Sequence, residues 1–153
     1  MELLLVCSAG GHLLQLRLLE DVWRSRSRVW VTHRRDDALS LLAQEEVVYA
    51  YGPTTRSVVN LLRNLGLAWR LIGRLRPAVV LTTGAGIAVP FAWIGHVRGA
   101  KVVYIESLTR IAEPSLSCRF IRPVAARTYV QWPELAERIE NARYLGSVLG
   151  GPV

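Results

Sequence analysis

The chain has 153 residues, a length that suits one domain with an ordinary hydrophobic core. Its net charge of +7 comes almost wholly from arginine, Lys101 being the only lysine. Arginine favours bidentate contacts to phosphate, but the bias does not distinguish a nucleic acid, an anionic lipid and a phosphorylated substrate. Cys7 and Cys118 lie far apart without Cys-x-x-Cys spacing, which argues against a zinc site or a disulfide framework and for buried, idle thiols in a reducing cytosol.

The first element is a short apolar strand, Leu3 to Cys7, that runs into Ser8-Ala9-Gly10-Gly11-His12. No basic region precedes it, and Ser8 and the glycines interrupt it early, so it does not read as a signal peptide. A helix is expected over Leu13–Trp23, a strand at Arg28–Thr32, a helix over Asp36–Gln44 and a strand at Val47–Tyr49. Ser57–Leu75 is a long helix with Arg63, Arg70 and Arg74 on one flank, while Leu61, Leu62, Leu65, Leu67, Trp69, Leu71 and Ile72 cover more than half of its circumference. Two readings stay open there. Either Arg63, Trp69, Arg70 and Arg74 face an anionic membrane surface, or this is a core helix with arginines snorkelling at its edges.

The stretch from Pro77 to Val97 carries no Asp, Glu, Lys or Arg and is about as long as a membrane span. Thr82, Thr83, Gly84, Gly86 and Pro90 divide it instead into a strand at Ala78–Leu81, a second glycine loop and a buried helix over Ile87–Val97. A strand follows at Lys101–Ile105, then a short helix within Ile111–Phe120, a strand at Thr128–Val130 and a helix over Pro133–Glu140 with Pro133 in its first turn. Tyr144 to Ser147 is a last extended segment. The alternation predicts an α/β fold: a single doubly wound, Rossmann-like domain over residues 1–153, with a mostly parallel sheet and no repeat or linker.

The two strand–glycine–helix units carry the chemistry. Glycine lets backbone amides approach an oxyanion, and the helix start that follows adds free donors and a favourable dipole. In an open parallel sheet both loops fall at the carboxyl ends of strands, where ligands collect, so the pair predicts a site for a large anion such as a diphosphate. No Gly-Lys-Ser/Thr follows either loop and neither spells Gly-x-Gly-x-x-Gly, which disfavours a kinase or a nicotinamide enzyme.

Several segments taken together are more specific: Ser8-Ala9-Gly10-Gly11-His12-Leu13, Thr83-Gly84-Ala85-Gly86, Tyr104-Ile105-Glu106-Ser107 with Thr109-Arg110-Ile111, Pro114-Ser115-Leu116-Ser117, Val130-Gln131-Trp132-Pro133-Glu134 and Tyr144-Leu145-Gly146-Ser147. In order and over nearly the whole chain, they resemble bacterial polysaccharide-biosynthesis proteins related to the membrane-anchoring, acceptor-binding subunit of the two-subunit UDP-GlcNAc transferase of dolichol-linked oligosaccharide synthesis. The resemblance implies the amino-terminal half of a GT-B glycosyltransferase, related to the enzyme that completes peptidoglycan lipid II. It further implies an N-acetylglucosaminyltransferase-like subunit, inactive alone, peripheral on the cytoplasmic face of the membrane. A donor-binding partner subunit would hold the nucleotide-sugar, and a polyprenyl-diphosphate-linked sugar would be the acceptor.

On that resemblance, Ser8, Gly10 and Gly11 would offer amides to the lipid diphosphate, and Thr83, Gly84 and Gly86 would do so from the second loop. Dipoles would handle the charge, so no metal or other cofactor is expected. His12 would either take the acceptor's hydroxyl proton or serve only to cap and pack. Glu106 would bind acceptor hydroxyls or act as the base, with Ser107 and Arg110 as neighbours, unless Arg110 holds it in a structural ion pair. Relatives often have glutamate at Gln15, so no acidic role carries over there. His33 and His96 lack ligand-like spacing and read as structural. Trp132 and Pro133 are either a partner-facing turn or core packing, and Tyr144 to Val153 is either a docking segment or a frayed end. A nucleic-acid partner is not expected, because the arginines are scattered and no helix-turn-helix or aromatic-basic interleaving occurs. A free-standing Rossmann-type sugar- or nucleotide-binding enzyme is the other alternative.

Overall fold

Short, mostly apolar runs form the strands: Leu3–Cys7 (β1), Arg28–Thr32 (β2), Val47–Tyr49 (β3), Val79–Gly84 (β4), Lys101–Ile105 (β5), Ala125–Val130 (β6) and Ala142–Tyr144 (β7). In the computed structural model, which describes residues 1–150, they pair in one sheet in the order β3-β2-β1-β4-β5-β6-β7. Every pairing is parallel. Between the strands run α1 (Gly11–Leu18), α2 (Glu20–Trp23), α3 (Asp36–Leu41), α4 (Val58–Leu75), α5 (Ala88–Val97), α6 (Leu116–Ile121), a 3₁₀ turn at Arg122–Val124, and α7 (Pro133–Arg138). The result is the single α/β, doubly wound domain that the alternation predicts.

Strand order explains the layers. The chain moves outward from β1 to β3, returns to place β4 beside β1, and then moves outward the other way. Right-handed crossovers therefore put α1–α3 on one face and α4–α7 on the other. Leu4, Val6, Val29, Val31, Val80, Val102 and Tyr104 point into the α4–α7 core, while Leu3, Leu5, Trp30 and Leu81 meet α1–α3. All five residues of β1 are buried, as an interior parallel strand covered on both faces requires.

Boundaries depart from expectation where side chains intervene. The first helix stops at Leu18 rather than running to Trp23, because the Trp23 indole turns into the core and donates to the Leu16 carbonyl at 2.8 Å. The fourth strand runs on through Thr82, Thr83 and Gly84, with Thr82 in register with Val6 and Tyr104. The uncharged Pro77–Val97 stretch divides into strand, loop and helix, and among the described residues no helix is long and apolar enough to cross a membrane.

Two surfaces lack cover. On the α1–α3 face, β5–β7 leave Val103, Ile105 and Tyr129 half-buried, with Lys101, Arg127 and Arg143 exposed; the register sets these residues on one side of the sheet. On the other face, α4 buries only Asn64, Ala68, Leu71 and Ile72. Val58, Val59, Leu62 (62% exposed) and Trp69 (49%) face outward, beside Trp93 and Val97 of α5 and Leu116 and Phe120 of α6. Asn64 earns its burial by accepting the Tyr51 N–H and donating to the Tyr51 carbonyl, both at 2.9 Å, which ties the β3–α4 loop down.

Gly84 has φ +100, and a Cβ there would lie 2.9 Å from the Tyr104 hydroxyl, itself held by Glu106 and Ser115. Gly84→Ala is expected to lower stability by about 2 kcal/mol or more through strain and clash together, read as a fall in the urea midpoint.

Candidate functional site at the strand-order reversal

β1 and β4 lie side by side, and the chain leaves them toward opposite faces of the sheet. Their carboxyl ends therefore bound a crevice, the place where open α/β sheets bind ligands. Both glycine loops open there. They are joined by a reciprocal clamp: the His12 imidazole Nδ1 lies 2.8 Å from the Thr83 carbonyl, and the Thr83 hydroxyl donates to the His12 carbonyl at 2.7 Å. A carbonyl only accepts, so Nδ1 carries a proton, and in the neutral ring the lone pair falls on Nε2. His12 thus has one structural nitrogen, and within the described residues Nε2 has no hydrogen bond.

The first loop is open. The first intrahelical bond of α1 runs from Leu14 N–H to the Gly10 carbonyl, so the amides of Gly11, His12 and Leu13 have no helical partner. A Cβ at Gly10 or Gly11 would meet nothing within 4 Å. Gly10 has φ +82, which favours glycine, whereas Gly11 lies in the helix. Ser8 is half-buried at the rim. The Gly10 amide itself is taken, donating to the Asp37 carboxylate at 2.6 Å.

The second loop departs from the expected amide cradle. Its Gly84 N–H donates to the Thr82 hydroxyl at 2.9 Å, and the Ala85 N–H donates to the Ser117 hydroxyl at 3.3 Å. Gly86 is close-packed, since a Cβ there would lie 3.1 Å from the Thr54 hydroxyl. Ala85 keeps a left-handed φ of +73, a strained geometry for a residue with a Cβ. Of Thr83, Gly84 and Gly86, Thr83 is the one bonded to His12.

Glu106 is fully buried at the end of β5. Its carboxylate accepts from the Tyr104 hydroxyl (2.9 Å), Ser107 N–H (2.8 Å), Ser115 N–H (2.8 Å) and the Ser115 hydroxyl (2.9 Å to each oxygen). Arg110 is exposed, and no ion pair joins it to Glu106 among the described residues, so the ion-pair alternative is replaced by this hydroxyl and amide cage. The cage folds the 107–115 loop back onto α6, whose N-cap Ser115 accepts the Cys118 N–H. Burial, and next the Glu106 charge, push the Cys118 thiol up to about 12, and burial pushes Cys7 up to about 12, so both thiols stay protonated.

Sequence reasoning missed a polar relay beside the cage. The Gln15 side-chain oxygen accepts from Leu108 N–H (2.9 Å) and from the Gln131 amide (2.8 Å), which also donates to the Glu106 carbonyl (3.0 Å). Gln131 in turn accepts the Val148 N–H at 3.0 Å, tying the segment after β7 to the site edge. The Trp132 indole donates to the Leu108 carbonyl at 2.6 Å; Trp132 is half-buried against the core and Pro133 is exposed at the start of α7. Asp37 was also missed, although an acidic pair opening a helix just after β2 falls at this same sheet edge. His33 and His96 lie outside the crevice contacts, and burial together with Arg35 lowers the His33 pKa. Arg63, Trp69, Arg70 and Arg74 are exposed along α4, with the Arg98 guanidinium 3.7 Å over the Trp69 ring.

This architecture is that of one Rossmann-like half of a GT-B glycosyltransferase. The chain superposes on MurG of Acinetobacter baumannii with a TM-score of 0.75, at 15% identity, over 100% of this chain and 47% of that one. A Staphylococcus aureus MnaA–UDP structure also gives 0.75, at 11% identity, over 97% of this chain and 44% of that one. Residues 3–148 match the family described as oligosaccharide biosynthesis protein Alg14 like, and the chain belongs to that family. Curated relatives named UDP-N-acetylglucosamine transferase subunit ALG14 include those of Mus musculus (28% identical; 97% of this chain, 83% of the relative) and Eremothecium gossypii (36%; 71% and 53%). The Schizosaccharomyces pombe relative is 33% identical over 52% of this chain, a match spanning 45% of that protein. For several of these relatives, then, the chain spans about half of their length.

Glu106→Gln is expected to cost about 1–3 kcal/mol of stability, because either orientation of the new amide sets an N–H against the backbone N–H of Ser107 or Ser115. Thermal unfolding at neutral pH reads the loss.

Proposed function

We propose that this chain is the acceptor-binding subunit of a two-subunit UDP-N-acetylglucosamine transferase and is incomplete alone. The diphosphate of a polyprenyl-diphosphate-linked sugar would lie on the amides of Gly11, His12 and Leu13, with Ser8 at the rim. The observation that carries this reading is the meeting of both glycine loops at the strand-order reversal, with the first loop open. A diphosphate there gains hydrogen bonds and a favourable helix dipole at once. His12 Nε2 would take the acceptor hydroxyl's proton as that oxygen attacks the donor sugar. Thr83 holds the ring in the tautomer this step needs.

Two further observations support the remaining parts of the reading. Helices α4, α5 and α6 contain no acidic residue, and their outer surfaces combine Val58, Leu62, Trp69, Trp93, Leu116 and Phe120 with Arg63, Arg70, Arg74 and Arg119. Apolar side chains among unopposed arginines suit peripheral binding at an anionic, cytoplasmic membrane face. The half-covered strip Val103, Ile105 and Tyr129, rimmed by Lys101, Arg127 and Arg143, suits a donor-binding partner that brings an apolar surface with acidic flanks.

Transfer of the sugar from UDP-GlcNAc to a polyprenyl-diphosphate-linked acceptor is expected only when the chain and its copurified partner are mixed; full turnover by the chain alone would refute the two-subunit reading. Gly11→Trp, a substitution into open space at a helical φ, should leave the unfolding midpoint within about 0.5 kcal/mol of wild type and abolish transfer. Replacing Arg63, Arg70 and Arg74 together by glutamate should weaken binding to anionic vesicles, by at least ~1 kcal/mol per lost positive charge, in a sedimentation assay.

A further inference from the structure

We propose that the seam between α6 and α7 is a second ligand site, which holds a phosphate group on the guanidinium forks of Arg119 and Arg122. It needs neither the diphosphate reading of the crevice nor the membrane reading of α4.

The seam is concave. A cavity of about 340 Å³ lies there, lined by Glu113, Pro114, Cys118, Arg119, Arg122 and Arg138. Small-molecule sites span roughly 300–1,000 Å³, so the volume suits a small ligand. None of the six lining residues belongs to either glycine loop. The loop after β5 supplies Glu113 and Pro114, α6 supplies Cys118 and Arg119 with Arg122 directly after it, and Arg138 is the last residue of α7. Arg119 and Arg122 stand three residues apart along a helical backbone, which sets them on one side of it.

Charge is unevenly matched around this cavity. Its one carboxylate, Glu113, is bound by Arg138 at 2.9 Å. Arg119 and Arg122 have no ion pair and no side-chain hydrogen bond among the described residues. Glu134, Glu137 and Glu140, on or beside α7, pair with none of the three arginines within those residues. Cys118 is buried and supplies the base of the cavity. Burial and the Glu106 charge raise its thiol, and the Arg122 and Arg119 charges oppose them, which places both guanidinium charges near that base. Glu106 lies behind the thiol with its carboxylate already engaged by the Tyr104, Ser107 and Ser115 donors. Two unmatched cations thus share one hollow over a neutral floor.

An anion completes such a set. The planar arginine fork pairs bidentately with phosphate, and two forks together offer more donors than a carboxylate ligand has oxygens to use. Arg138 adds an exchangeable contact, because its pair with Glu113 is exposed and therefore weak. A phosphate that displaces Glu113 gains a third guanidinium. The phosphate comes either from a soluble phosphoester or from a lipid headgroup; exposed Leu116 and Phe120 on the same helix are the apolar neighbours a lipid-borne one would meet. Arginines at the end of α6 also suit the helix dipole, but that role requires charge alone and is met equally by lysine.

The test compares the full-length wild type with two paired substitutions, Arg119→Lys with Arg122→Lys and Arg119→Gln with Arg122→Gln. Both positions are exposed, so thermal midpoints close to wild type are expected. Each protein is titrated with glycerol 3-phosphate at constant ionic strength, followed by nitrogen-15 NMR, and is sedimented with phosphatidylglycerol vesicles. In wild type, glycerol 3-phosphate should give saturable shifts at the Cys118, Arg119, Arg122 and Arg138 amides. The lysine pair should bind it at least about fivefold more weakly although its charge is unchanged, and the glutamine pair should not bind. That result assigns a soluble phosphoester. Silence toward glycerol 3-phosphate, with vesicle binding at least about fivefold weaker for the lysine pair than for wild type, assigns a headgroup instead. Absence of that loss in the lysine pair toward both probes would overturn the site, reduce the arginines to diffuse charge, and leave the reading of the crevice untouched.

Discussion

The reversal of strand order between β1 and β4 is the constraint on which the site depends. Two parallel strands whose chains depart to opposite faces leave a gap at their carboxyl ends that no crossover helix fills. Here the gap is held at a fixed width by backbone-to-side-chain bonds in both directions, His12 to Thr83 and Thr83 to His12. Because the clamp uses Nδ1 and the two carbonyls, it leaves Nε2 and the α1 amides uncommitted. A clamp built from the opposite nitrogen would have held the loops equally well and left a different lone pair available.

The buried Glu106 solves a different problem. A carboxylate removed from water must be met by donors, and this one collects two backbone amides and two hydroxyls from residues on both sides of the 107–115 loop. Charge burial is thereby turned into loop geometry. Ser115 links that cage to α6, and Ser117 passes the constraint on to Ala85, the strained residue of the second glycine loop. Glu106 thus acts on the crevice through the loops it organises, at a remove from the open amides beside α1.

The sheet, its parallel sense and the two glycine loops were legible because they rest on local signals: short apolar runs, helical periods between them, and glycines at strand ends. What was not legible depends on side chains that meet only after folding. The early end of α1 follows from Trp23 reaching the Leu16 carbonyl, seven residues back, to satisfy an indole in the core. The second loop looked like an amide cradle because glycines and threonines stand in it. Whether Gly84 offers its N–H depends on the hydroxyl of a threonine two residues earlier. Gln15 and Gln131 stand 116 residues apart and carry no motif, yet they hold the site edge together. The relay also explains why glutamate is compatible with position 15: both groups pointing at that side chain are N–H donors, which a carboxylate accepts as readily as an amide oxygen.

The unmet surfaces of the molecule are arranged in a way that limits how a lipid-linked ligand could lie. Helix α4 begins at Val58, immediately beyond the loop whose Thr54 closes on Gly86, so its most exposed apolar residues, Val58, Val59 and Leu62, stand at the same end of the sheet as the crevice. The half-covered strip of β5–β7 lies on the opposite face, away from α4. On the proposed reading, a lipid tail leaving the crevice meets apolar surface at once on the α4 side, while a partner subunit approaches across β5–β7 without crossing the membrane plane. The segregation follows from handedness. Right-handed crossovers commit α4–α6 to one face, and with α1–α3 spent on the first strands, the far half of the other face is left bare.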